Sequence, residues 1–138
     1  MIIQVIAAFF ATLFFSIMFN VSKNQLIYCG FNGAIGWLVY LASLSLNSIV
    51  LSSFLGALTV SVFAQILAKI RKTPVTVFLI SGIIPLVPGA ILYKTIYYIV
   101  EEDYTMSNYY GIQSLQIAGA IAVAIILVSS VTNTKKRN

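Results

Sequence analysis

The sequence predicts an all-α, polytopic membrane helix bundle of about five transmembrane helices, the fourth of them broken at Pro85, Pro88 and Gly89. Composition is the first of three observations behind this. Of 138 residues, 60% are hydrophobic and 8% are charged, where a soluble surface needs roughly a quarter charged. Next come five apolar segments, 2–19, 26–44, 48–68, 75–100 and 111–131, each near the roughly 20 residues that cross a bilayer. The third is how short the polar stretches between them are. None has room for a soluble domain, so residues 1–138 are expected to form one transmembrane domain.

The first segment opens MIIQVIAAFF, with no basic n-region and no clean small-residue cleavage site, so it is expected to stay as a spanning helix rather than leave as a signal peptide. Gly30, Gly33 and Gly36 make the second segment either a full crossing or a re-entrant loop. Charge favours the crossing. With five spans and Lys135, Lys136 and Arg137 in the cytoplasm, Lys23, Lys69, Arg71 and Lys72 are cytoplasmic too, which puts seven of the eight basic residues inside. The N-terminus and Glu101, Glu102 and Asp103 then lie outside. Ser53, Ala57 and Ser61 in the third segment, and Ala118, Gly119 and Ala122 in the last, give small faces on which helices approach closely.

The fourth segment carries the chemistry. Val75 to Ile84 and Ala90 to Val100 would each rise roughly 15 Å as helices, about half of a hydrocarbon core, so the interruption between them falls near mid-depth. Pro85 cannot donate to the Ser81 carbonyl, nor Pro88 to that of Ile84, and Gly89 permits backbone conformations closed to other residues. The half-helix beginning there aims free N–H groups and a positive dipole end at the interruption. Non-helical backbone at that depth needs protein cover or water, so a cavity is expected. Such an end suits a carboxylate, as in the discontinuous helices of secondary transporters. A packing kink with no ligand is the other reading.

Lys94 is the one ionisable residue well inside an apolar segment; it either snorkels towards Glu101 or meets an anionic substrate. Asn20 and Gln65 sit at inner span ends, where water can satisfy them. Tyr93, Tyr97, Tyr98, Tyr104, Tyr109 and Tyr110 read as an interfacial belt, except that Tyr93 lies one turn past Gly89 and could turn its hydroxyl to the cavity. With no histidine, the single Cys29, no intramembrane carboxylate and no phosphate-cradling loop, the sequence excludes an enzyme and calls for neither metal nor cofactor. Basic residues cluster at span ends rather than along one face, so no nucleic-acid partner is expected.

The stretch KTPVTVFLISGIIPLVPGAILYKTIYYIV, with QIAGAIAVAIILVSS after it and MFN and CGFNGAIGWLVY before it, resembles the threonine/serine exporter family, in particular the short second subunit of its split form. The resemblance implies a cell-membrane exporter of two membrane halves. The partner would be a longer membrane chain with a cytoplasmic N-terminal domain, and the substrate threonine or serine, or in one branch a dicarboxylate such as succinate. Pro85, Pro88, Gly89 and Tyr93 match the family core and Asn20 its FN pair, whereas Lys94 lies outside the pattern. The candidate substrate-binding set is therefore Pro85, Pro88, Gly89 and Tyr93, with Asn20 and Lys94 added. Two other functions are open: a structural subunit without ligand contacts, and a homo-oligomeric pore.

Overall fold

The computed structural model describes residues 1–137, and their regular structure is entirely helical. Six α-helices follow in order: α1 (Ile2–Met18), α2 (Leu26–Ser43), α3 (Ile49–Arg71), α4 (Val75–Ile83), α5 (Gly89–Val100) and α6 (Tyr104–Arg137). Short 3-10 turns, Lys23–Gln25, Leu44–Leu46 and Ile84–Leu86, lead into α2 and extend α2 and α4. With its turns, the second segment is a continuous rod from Lys23 to Leu46. That rod, Ile49–Arg71 and Tyr104–Arg137 are long and apolar enough to cross a bilayer, and α4 with α5 makes a fourth candidate, bent by 49° at the break. At 17 residues, α1 is apolar but shorter than these three.

Each turn closes by a local device. Asn20, Asn47, Lys72 and Glu102 take the left-handed conformation, with φ of 58°, 57°, 51° and 60°. Asparagine adopts this readily, whereas lysine and glutamate do so against a Cβ penalty of roughly 1 kcal/mol. At the start of α3, the Ser48 hydroxyl accepts from the Leu51 N–H at 3.2 Å. Asp103 caps α6: its Oδ1 accepts from the Met106 N–H at 3.2 Å and its carbonyl from the Ser107 N–H at 3.0 Å. Asp103→Ala is expected to lower stability by about 1 kcal/mol, read as an earlier unfolding midpoint in detergent. With that cap, the expected loop from Glu101 to Tyr110 shrinks to three residues, and α6 starts seven residues before Gly111. The tyrosine-rich stretch is polar enough to fall outside a hydropathy window yet has no helix breaker.

α2 lies against α1 on one side and α3 on the other, α6 packs on α3, and α5 on α6, while α4 is wedged against α2 and α3. Glycines set the α2 contacts. A Cβ on Gly33 would overlap the Thr12 side chain, and one on Gly30 would come within 2.7 Å of the Phe9 ring. Gly36 meets Val60, and a Cβ on Gly56 would stand 3.1 Å from the Gly36 carbonyl oxygen, so α2 and α3 approach at backbone distance. Buried Ser53, Ala57 and Ser61 continue the α3 face. On α6 the small residues point the other way: Ala118, Gly119 and Ala122 are exposed, whereas Ile117, Ile121 and Ala124 enter the core.

Four buried hydroxyls in this apolar interior close on their own helices. Thr12, Ser16, Ser61 and Ser81 each donate to the carbonyl four residues back, at 2.7 to 2.9 Å. An unmade bond there would cost about 1–3 kcal/mol, so these residues pack as small spacers while staying satisfied.

Candidate functional site at the helix break

Beyond Ile83 the chain tightens into the Ile84–Leu86 turn, in which the Val87 N–H donates to the Ile84 carbonyl at 3.3 Å. One of the two acceptors freed by the prolines is thereby reclaimed. Val87 is extended, with φ −60° and ψ 132°. Pro88, at φ −77° and ψ 55°, is the centre of an inverse γ-turn, closed by the Gly89 N–H donating to the Val87 carbonyl at 2.8 Å. The Leu92 N–H then reaches the Pro88 carbonyl at 3.0 Å, and α5 is under way. Proline chemistry makes the interruption. Gly89 does not need its conformational freedom, since it lies outside the left-handed region; instead, a Cβ there would meet nothing within 4 Å. The glycine leaves space.

A cavity of about 260 Å³ occupies that space. Pro85, Leu86, Pro88, Gly89 and Ala90 form its wall from the break, Trp37 and Tyr40 of α2 and Ser53 of α3 face them, and Ile117 of α6 closes one side. Trp37 stacks on Tyr40 with ring centroids 4.7 Å apart, and its indole Nε1–H is buried with no acceptor among the described residues. The Ser53 hydroxyl donates to the Ile49 carbonyl at 2.9 Å, leaving its oxygen free to accept. None of these side chains carries a charge at neutral pH. The site is apolar in body, with a few donors around one helix end.

Directly below, Asn32 ties α4 in place. It is 1% exposed, and its Nδ2 donates to the Phe78 carbonyl at 3.1 Å, while Oδ1 is buried without a partner. A Cβ on Gly82 would lie 2.9 Å from that Nδ2, so the glycine is what admits the amide between the helices. The sequence offered one sign of Asn32, an amide inside the glycine-rich run FNGAIG, but its burial depends on a third helix.

The candidate residues divide. Pro85, Pro88 and Gly89 line the cavity. Tyr93 is 69% exposed and stacks on Tyr97 at 6.4 Å, outside the cavity lining. Lys94 lies on α5 with its Nζ 5.2 Å from the centre of the Tyr110 ring, which itself stacks on Tyr98 at 5.6 Å. This is a cation–π contact between α5 and α6, and the Ser107 hydroxyl donating to the Thr95 carbonyl at 3.1 Å adds a second tie there. Asn20 closes the end of α1, its N–H donating to the Ile17 carbonyl at 3.1 Å, and is not among the cavity residues.

A bundle of apolar helices around a broken one is the architecture of a multi-pass membrane protein, and a discontinuous helix beside a cavity is a feature of secondary transporters. Residues 4–131 match the family described as Threonine/Serine exporter, ThrE. The chain belongs to that family, which consists of transporters and not enzymes. No curated protein and no solved structure matches it.

Proposed function

We propose that this chain is the short subunit of a two-chain exporter of threonine and serine, and that it holds the substrate carboxylate at the N-terminal end of α5. The cavity at the break carries this reading: it lies against the N-terminus of α5, whose free N–H groups and positive dipole end favour an anion. The Ser53 oxygen, an acceptor on the same wall, suits the ammonium or hydroxyl of the amino acid. Gly89 and Ala90 are exposed, so the cavity opens at the protein surface, where a second membrane chain would complete the enclosure. The exposed small stripe Ala118, Gly119 and Ala122 of α6 offers such a chain a close-packing face.

In this scheme α1 is a fifth crossing, the N-terminus is outside and the C-terminus cytoplasmic, and the longer partner with its cytoplasmic N-terminal domain is inverted relative to this chain. Transport then proceeds by this bundle rocking against the partner's, with the substrate held at the break between them. Lys94, held by Tyr110, keeps α5 and α6 moving together.

The test is counterflow in proteoliposomes holding both chains, with threonine, serine and succinate each offered as the exchanging solute. Exchange of threonine and serine over succinate is expected, and the reverse order would make the substrate a dicarboxylate. Ala90→Leu, at an exposed position on the cavity wall, narrows the space before the first turn of α5 and should raise the half-saturation concentration roughly tenfold. Unchanged half-saturation with altered assembly would make this a structural subunit; transport by this chain alone would make it a pore.

A further inference from the structure

A second cavity lies away from the helix break, on the outer surface between α3 and α6 near their C-terminal ends. It is a groove of about 420 Å³, walled by Leu58, Val62 and Ile66 of α3 and Leu127 and Val131 of α6. At one end the walls turn polar, with Gln65, Lys69, Thr132 and Lys135. A separate hollow of about 300 Å³ shares Gln65 and Lys69 with the groove and is bordered also by Thr73 and Lys136. The apolar groove and this lysine-bordered chamber thus adjoin at Gln65 and Lys69, at the end of the bundle where α3 and α6 finish.

Charge at that chamber is unbalanced. The three acidic residues of the chain, Glu101, Glu102 and Asp103, sit in the turn between α5 and α6, at the opposite end of the bundle. Both α3 and α6 end at the lysines, and each C-terminus contributes about half a negative charge. Two such ends offset only about one of the three positive charges of Lys69, Lys135 and Lys136. Arg71 is committed elsewhere: its Nε donates to Gln25 Oε1 at 3.1 Å and its guanidinium lies 4.5 Å from the centre of the Tyr28 ring. The lysines project from exposed positions beside a slot fit for a hydrocarbon tail.

We infer that this paired groove and chamber bind one anionic phospholipid of the leaflet on the Lys135 side, an acyl chain lying between α3 and α6 and the phosphodiester between Lys69, Lys135 and Lys136. The phosphate offsets about one of the two positive charges left over, and the tail fills apolar surface that a free phosphate would leave empty. A zwitterionic lipid would fit the groove too, but its ammonium cancels the charge of its own phosphate and leaves the lysines uncompensated. By bridging α3 to α6, the lipid joins the part of the bundle that holds α4 to the part that holds α5.

Native mass spectrometry of the full chain, together with any chain that copurifies, tests this with phosphatidylglycerol and phosphatidylcholine of identical tails. Phosphatidylglycerol is expected to be retained at least tenfold more strongly. Lys69→Gln and Lys135→Gln should each weaken its retention roughly fivefold, and Val62→Trp, which fills the groove, should abolish the headgroup preference with every lysine intact. Lys23→Gln, at the same end of the bundle but outside the groove, should change nothing. Equal retention of the two lipids by the unaltered protein would overturn the inference without reliance on any variant. So would a Lys23→Gln effect as large as that of Lys69→Gln, which would mean diffuse surface attraction, or preference surviving Val62→Trp, which would mean that no tail is held. Cross-linking of Val62→Cys to a copurifying chain would also overturn it, since the groove would then hold a protein helix.

Discussion

Gly89→Leu is expected to reduce export ten- to a hundredfold while leaving the quantity of folded protein in the membrane unchanged. The two halves of this expectation have separate causes. A Cβ at residue 89 meets nothing within 4 Å, and the backbone there is one that any residue adopts, so the leucine neither clashes nor strains. Its side chain enters the space in front of the first turn of α5, where the substrate carboxylate is proposed to accept hydrogen bonds. Losing one charge-assisted hydrogen bond of about 1.5–3 kcal/mol gives the stated range. Measured as threonine efflux from cells making both chains, with membrane content read by immunoblot, normal efflux at normal content would remove the site from the break.

Gly33→Leu should do the opposite, depleting the protein from the membrane before any question of transport arises. A Cβ there would overlap the Thr12 side chain, and Thr12 is fully buried with its hydroxyl bonded to the Ala8 carbonyl at 2.8 Å. Neither partner has room to yield. Overpacking a close helix contact costs typically about 1–3 kcal/mol per misfit, and a leucine adds several carbons where one already fails to fit. The variant should be degraded or aggregate on extraction, read as loss of the monodisperse peak in size-exclusion chromatography. Gly89→Leu, where a Cβ meets nothing within 4 Å, is the control. Monodisperse Gly33→Leu protein would show that α1 does not pack on α2 through this glycine.

The contrast between these glycines explains what the sequence made legible. Pro85 and Pro88 act through their own ring and missing N–H, so the interruption and its bordering cavity follow from local chemistry. The rod from Lys23 to Leu46 was harder to foresee, because glycines that permit a re-entrant loop also permit close packing, and only Phe9, Thr12 and Val60 across the contact decide between them. Gly89 was assigned conformational freedom, yet the left-handed positions are Asn20, Asn47, Lys72 and Glu102, two of them charged residues that give no hint in isolation. For the same reason the roles of Trp37 and Asn32 do not show in the sequence, and Ser53 reads there as a packing residue alone. Each matters through a neighbour on another helix, and no spacing along one segment records that. The early start of α6 was hidden by tyrosines and serines whose helicity hydropathy does not register.

Trp37 is the sole tryptophan in the chain, and it lines the cavity while stacked on Tyr40. All indole emission from this protein therefore originates at one spot, beside the helix break. Filling or hydrating that spot changes the polarity around a single fluorophore, so occupancy can be followed by a colour shift in an unlabelled sample. The molecule carries its own gauge.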